Sequence, residues 1–337
     1  MMLRTRVSCE GSVVAEIDRR LRQLDKEALR YSTAGVKGFS SVFGPQNSPF
    51  RHLALDKLCL DAGGRHQGVI GAEEALLVIL DGKCSVSLST RISTRKGSGH
   101  EESKIISWRS LGERPNPFTG SPAAVYIPEN WNYEVEAECP TRALIVRSPW
   151  PGHESGARCE AIDGMPGSKP DGEAPIPILI RPQDVKVVSV GAANWRRDVR
   201  FILGPNSPSR RLFAAETLNP PGNWSGFPPH KHDTASGTEA VLEEFYHFTV
   251  NPSDSYGIQR VYDYSNMDQA MVVREGDVVI FPRGYHPTVA PPGTTLCYFW
   301  AIAGPEKALK VTVDPCYSWL TLAEGIIREM QWGPGAT

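Results

Sequence analysis

A weak internal repeat constrains this chain more than any other feature of its sequence. NSPFRHL at Asn47 to Leu53 matches NSPSRRL at Asn206 to Leu212, and Gly63 then falls opposite Gly222 at the same offset. Farther on, VYIPENWNY around Pro128 parallels VIFPRGYHP around Pro282. Two copies of one module are therefore expected, and 337 residues are enough chain for two cores of ordinary size. Short β-branched or aromatic runs broken by turns fill both copies, as in ALLVILDGKCSVSL, AAVYIPENWNYEVEA, RALIVRS and VVIFPRGYHPTVA. This predicts an all-β fold of two antiparallel barrels or sandwiches.

The rest of the chain divides around those copies. Val13, Val14, Ile17, Leu21 and Leu24 recur at helical spacing between Val13 and Leu29, so residues 1–38 read as an N-terminal helical extension. Residues 39–150 form the first module. Residues 151–177, dense in Gly, Pro and charge without apolar periodicity, read as a linker. The second module takes residues 178–312, and residues 313–337 carry a last helix, SWLTLAEGIIREM from Ser318 to Met330, and a tail. Within the first module, STRKGSGHEESK from Ser93 to Lys104 reads as a long solvated loop.

A net charge of −2 gives no reason to expect a nucleic-acid partner. No apolar run reaches the roughly 18 to 20 residues of a membrane span, and the N-terminus shows no apolar h-region of a secretory signal. A soluble, cytoplasmic protein acting on a small molecule is the expectation. Seven scattered cysteines without a CxxC pair agree with reduced packing thiols.

The chemistry concentrates in the second module. Residues i and i+2 of a strand share a face, so His230 and His232 in PPHKHD project two imidazoles side by side. Glu244, Tyr246 and Phe248 share a face of the next run, and His286, after the turn PRG, returns a third imidazole. Three neutral nitrogens and a carboxylate suit one divalent transition metal, whether zinc, manganese, iron or nickel. His52, His66, His100, His153 and His247 lack such company and read as packing or surface residues. In the first module Gly71 and Glu73 stand opposite His230 and His232, and Asn132 opposite His286, so that module is expected to bind no metal.

GNWSGFPPHKHD from Gly222, LEEFYH from Leu242, IQRVYD from Ile258, MVVREGDVVIFPRGYHP from Met271 and AGP at Ala303 resemble, in order, the 5-deoxy-glucuronate isomerases of inositol catabolism. The likeness is strong from about Asn194 to Pro315 and a matter of pattern in the first module. It implies a bicupin fold, two tandem cupin barrels of jelly-roll type. It also implies an aldose–ketose isomerisation of 5-deoxy-glucuronate to 5-dehydro-2-deoxy-gluconate, with His230, His232, Glu244 and His286 as the metal ligands.

Such a reaction moves hydrogen between C2 and C1 while charge grows on neighbouring oxygens, which a chelated metal stabilises. If the route is an enediol, a base is needed, and Tyr246, Tyr285, Glu243 or a metal-bound water are the candidates. A cation should hold the substrate carboxylate: Arg283 ranks first, ahead of Lys231 and Arg260, with Trp224 as a wall. Two other readings fit a cupin with these ligands, an iron-dependent dioxygenase and a non-enzymatic sugar-binding bicupin. Association into a homo-oligomer through edge strands stays open.

Overall fold

The structure is a computed structural model, and it describes residues 29–93, 101–151 and 176–331. Every strand pair in it is antiparallel, and the strands form two similar halves. In the first, a six-stranded sheet runs Ile178–Ile180, Ala124–Ile127, Glu73–Asp81, Thr141–Pro149, Ala54–Leu60, Gly38–Phe43. A four-stranded sheet of Arg65–Ile70, Trp131–Ala137, Cys84–Ser93 and Glu101–Leu111 shares its core. In the second, a seven-stranded sheet runs Arg30–Ser32, Asp277–Phe281, Glu243–Asn251, Thr295–Ala303, Phe213–Asn219, Arg197–Leu203, Lys186–Val190. Four shorter strands, Trp224–Ser225, Thr288–Val289, Gly257–Tyr262 and Asp268–Val273, form its companion sheet.

The residue pattern explains which sheets lie inside. Trp131–Ala137 alternates buried and exposed side chains because its outer face meets solvent. Glu73–Asp81 is buried almost throughout, as a continuous apolar run requires. Its Leu77 and Ile79 enter the first half's own core, while Leu76, Val78 and Leu80 join a cluster containing Phe245 and Phe299 of the second half. The two large sheets thus pack back to back, with Phe43 edge-on to Phe245 at 5.1 Å. The turn after Asp81 needs Gly82: at φ +88° any Cβ would stand 2.3 Å from the Pro140 carbonyl oxygen.

Two short strands cross between the halves. Arg30–Ser32 pairs with Asp277–Val279 in the second half's sheet, and Ile178–Ile180 pairs with Ala124–Tyr126 in the first. Each lies in sequence beside one module and in space within the other, so the sheets depart there from the expected division at residues 38 and 178. Strand also replaces the loop expected from Ser93: Glu101–Leu111 pairs with Cys84–Ser93 from Ser93↔Glu101 onward, leaving residues 94–100 to connect them. The helix expected at Ser318 is Trp319–Gln331. The helix expected at Val13, nearly all of the linker, and His100 and His153 lie outside the described residues. No helix among the described residues is long and apolar enough to cross a membrane. Cys59, Cys84, Cys139, Cys297 and Cys316 are free thiols.

The repeated NSP motif has a mechanical role at the interface. Glu243 of the second half accepts backbone N–H bonds from Arg51, His52 and Leu53 of the first at 2.6, 2.7 and 3.0 Å. Glu74 of the first half accepts the same three from Arg210, Arg211 and Leu212 of the second, at 2.6, 2.7 and 3.0 Å, and a fourth bond from the Tyr126 hydroxyl. One copy's motif is thus held by the other copy's carboxylate, twice. Gly63 and Gly222, matched by the repeat, have φ of +75° and +77°. Arg114 adds a buried ion pair across the halves, 2.5 Å from Glu216.

Glu74→Ala strips four donors, three of them buried, of their acceptor and should cost about 3 kcal/mol. Glu243→Gln turns one acceptor into an N–H2 group facing N–H donors and should cost about 2 kcal/mol while leaving metal content unchanged. Urea unfolding with metal analysis checks both, and unaltered midpoints would remove the clamps from this account.

Candidate metal centre

Strand alternation sends the adjacent carboxylates of Glu243–Asn251 to opposite sides. Glu243 turns to the first half, and Glu244, Tyr246 and Phe248 turn inward toward the companion sheet. Glu244 is locked in register between Phe281 and Ile302. His230 opens the two-residue strand His230–Lys231, held against Val313 and Thr312. His232 is tied to the base of the Glu244 strand: its carbonyl accepts from Leu242 N at 2.9 Å and its Nδ1 lies 2.9 Å from the Leu242 carbonyl oxygen. His286 follows a turn in which Gly284 has φ +86° and donates its N–H to Asp233 at 2.8 Å. Its Nδ1 lies 2.9 Å from the Gly284 carbonyl oxygen, and its ring stacks on Phe281 at 4.6 Å.

These elements bring the four expected ligands together. Glu244 Oε2 lies 2.9 Å from His232 Nε2 and 3.0 Å from His286 Nε2. The ring of His286 is 4.9 Å from that of His230 and 5.2 Å from that of His232. Donor atoms of His230, Glu244 and His286 all fall within 4.8 Å of one another. Ligands at roughly 2.1 Å from a shared ion sit about 3 Å apart, which is the spacing at Glu244. With Nδ1 of His232 and His286 donating to backbone carbonyls, the Nε2 lone pairs are the ones left for an ion. His286 Nε2 is fully buried and has Glu244 Oε2, at 3.0 Å, as its one close polar neighbour, so both atoms face the space an ion would take. The residues fit a divalent ion.

The electrostatics keep His230 and Glu244 in their binding forms, while the Glu244 carboxylate raises His232. Burial, then the neighbouring His286, pushes the His230 imidazole down to about 3. Burial would raise the Glu244 carboxyl, but His232 and His286 beside it outweigh that and hold it at about 2.

The other candidates divide. Tyr246 lies in the site, its ring 6.0 Å from His286 and stacked on Tyr298 at 4.3 Å. Burial first, and then the Glu244 charge, raises its phenol well above its ordinary value, so it stays protonated. Tyr285 instead stacks on Tyr262 at 5.2 Å, exchanges backbone hydrogen bonds with it, and makes no ring contact with the three imidazoles. Glu243 is drawn away to the interface, where burial pushes its carboxyl up to about 7 against the pull of its three N–H donors. Arg283 pairs with Asp263 at 3.5 Å and donates to Asn266. Lys231 pairs with Asp233 and Glu239 at 2.6 and 2.8 Å. Arg260 forks onto Asp268 and lies 4.0 Å over Tyr262. Trp224 packs against Phe227 at 5.3 Å, beside Trp195 and Leu320.

Sequence reasoning missed two inward residues. Tyr298 is hidden within the apolar run LCYFWAIA, where its pairing opposite Phe248 puts it on the site face. Arg197 sits in the cluster NWRRDVR; its two-residue spacing to Val199 was the available signal, though only the sheet shows which face is inward.

Glu244→Ala and His286→Ala should each bind divalent metal at least about 100-fold more weakly than the parent. Metal content after dialysis measures this: about one equivalent in the parent chain and almost none in the variants is expected, and retention in both variants would place the ion elsewhere.

A family model described as KduI/IolB family matches residues 29–164 and 161–320. A 5-deoxy-glucuronate isomerase of Geobacillus kaustophilus is 33% identical over 279 residues, 82% of this chain and 88% of the relative. One of Bacillus subtilis is 29% identical over 279 residues, 81% of this chain and 89% of the relative. Among solved structures, an IolB-like protein from Salmonella typhimurium LT2 superposes with a TM-score of 0.73 at 27% identity, covering 87% of this chain and 99% of that one. Oxalate decarboxylase of Lactobacillus farciminis, at 14% identity and a TM-score of 0.57 over 91% of this chain and 94% of that one, shares the fold.

Proposed function

This chain belongs to the KduI/IolB family, and from that premise we propose that it is a metal-dependent aldose–ketose isomerase converting 5-deoxy-glucuronate to 5-dehydro-2-deoxy-gluconate in inositol catabolism. The observation that carries the reading is the meeting of His230, Glu244 and His286, with His232 2.9 Å from Glu244, in a chain whose relatives bear that isomerase name. A bound divalent ion would supply Lewis-acid stabilisation of the charge that develops on the sugar's C1 and C2 oxygens.

The chain's own residues supply the rest. Phe248, Phe281, Tyr246 and Tyr298 wall the ligands with aromatic surface and limit water, which strengthens every charge interaction near them. Tyr246 keeps its proton at neutral pH and so serves as a hydrogen-bond donor or acid at its Oη, not as the base. With Glu243 bonded to the first half's backbone and Tyr285 stacked on Tyr262, neither is assigned the role of base in this reading.

An anaerobic assay of the metal-loaded protein with 5-deoxy-glucuronate, following the aldehyde and ketone carbons by NMR, tests the reading. Ketose formation that disappears in His230→Ala is expected; oxygen uptake in place of isomerisation, or no conversion with any divalent ion, would overturn it. Tyr246→Phe should lower kcat by about 100-fold with metal content retained. Because its phenol is raised above its ordinary value of 10, Tyr246 should contribute no alkaline limb to the pH–rate profile below about pH 10.

A further inference from the structure

We propose that Arg197 holds the carboxylate of the sugar acid, an inference that rests on the substrate reading above. The cations suggested by the sequence are committed elsewhere: Lys231 to Asp233 and Glu239, Arg260 to Asp268, Arg283 to Asp263. Arg197 has no carboxylate within ion-pair distance among the described residues. It opens the strand Arg197–Leu203 and shares a face with Val199. Val199 pairs with Thr217, Thr217 with Tyr298, and Tyr298 stacks on Tyr246, so the guanidinium rises from the face that carries the site.

Its hydrogen bonding is incomplete on the edge a carboxylate would use. Nη1 donates to the Trp195 and Phe227 carbonyl oxygens at 3.1 and 3.0 Å. Nε and Nη2 donate to no described residue, and the side chain retains partial exposure. The Nε–Nη2 edge presents two parallel N–H bonds matched to a carboxylate; Arg260 uses that same edge on Asp268, with both bonds at 2.8 Å. Arg197 is also electrostatically part of the site, since its charge acts on His230 and it feels the phenols of Tyr246 and Tyr298. Glu324 and Arg328 also act on it from a distance, but its hydrogen-bond acceptors are neutral carbonyls, and a largely desolvated cation so held gains from an incoming anion.

The test compares two substrates on metal-loaded protein: 5-deoxy-glucuronate, and the same 5-deoxy sugar with a hydroxymethyl group in place of the carboxylate. Arg197→Gln should raise KM for the acid by about 100-fold. It should leave kcat/KM for the neutral sugar within about threefold and metal content unchanged. Arg197→Lys, which keeps the charge but loses the two-pronged edge, should raise KM for the acid by about tenfold; it also covers the case in which the Gln variant fails to fold. Equal losses on both sugars, or lost metal, would make Arg197 a structural anchor of the Phe227 segment and overturn the assignment, as would an unchanged KM in both variants. A parent protein silent on 5-deoxy-glucuronate would sink the substrate reading itself and this inference with it, whereas an active parent with indifferent variants would sink this inference alone.

Discussion

The register of Glu243–Asn251 governs both the assembly of the two halves and the site inside one of them. Alternate side chains of a strand leave opposite faces, so its adjacent carboxylates face different tasks. Glu243 reaches out to three backbone N–H groups of the first half, and Glu244 reaches in to His232 and His286, with His230 beside them. A slip of one residue would exchange them, turning Glu243 toward the imidazoles and Glu244 toward the first half. The pairing of Glu244 with both Phe281 and Ile302, in a strand buried on both faces, makes that slip expensive.

The repeat clarifies how the halves came to differ. Glu74 occupies in the first half the place Glu243 has in the second, each holding the other copy's NSP segment. The next residue inward is then Ala75 in the first half and Glu244 in the second, and both face the strand that ends just before Pro128 or Pro282: Ala75 pairs with Ile127 and Glu244 with Phe281. Ala75 offers no donor atom, and Asn132, matched to His286, is exposed. The clamping carboxylate is present in both copies, and a carboxylate at the next, inward position in only one.

Among the four cations weighed for the site, three follow one rule and Arg197 does not. Lys231, Arg260 and Arg283 each meet a carboxylate within a short stretch of chain and serve to brace turns: Lys231 binds Asp233, which in turn accepts the Gly284 N–H that shapes the approach to His286. Arg197 faces neutral carbonyls instead. In a low-dielectric wall, paired cations are structural and an unpaired one is poised for a charged ligand.

The alternation of short apolar runs, the doubled NSP motif and the HxH, Glu and turn-His spacing were enough, read from the sequence alone, for an all-β fold of two similar modules and for the four residues that meet at His286. Those features are local, or repeat at fixed offsets, and period-2 alternation assigns a face without knowledge of the partner strand. What lies between distant segments was not legible. Nothing near Glu243 in sequence indicates that Arg51–Leu53, some 190 residues earlier, will take its carboxylate, so a base candidate proved to be an interface clamp. Nothing local separates Arg197 from Arg260 and Arg283; Asp268 lies eight residues from one and Asp263 twenty from the other, and only the sheet decides that these pairs close while Arg197 stays open. The crossing strands Arg30–Ser32 and Ile178–Ile180 were settled the same way, by which unpaired sheet edge each could reach. Local pattern determined which residues face inward, and long-range packing determined which charges found partners, because the cost of an unpaired buried charge is set by everything folded around it.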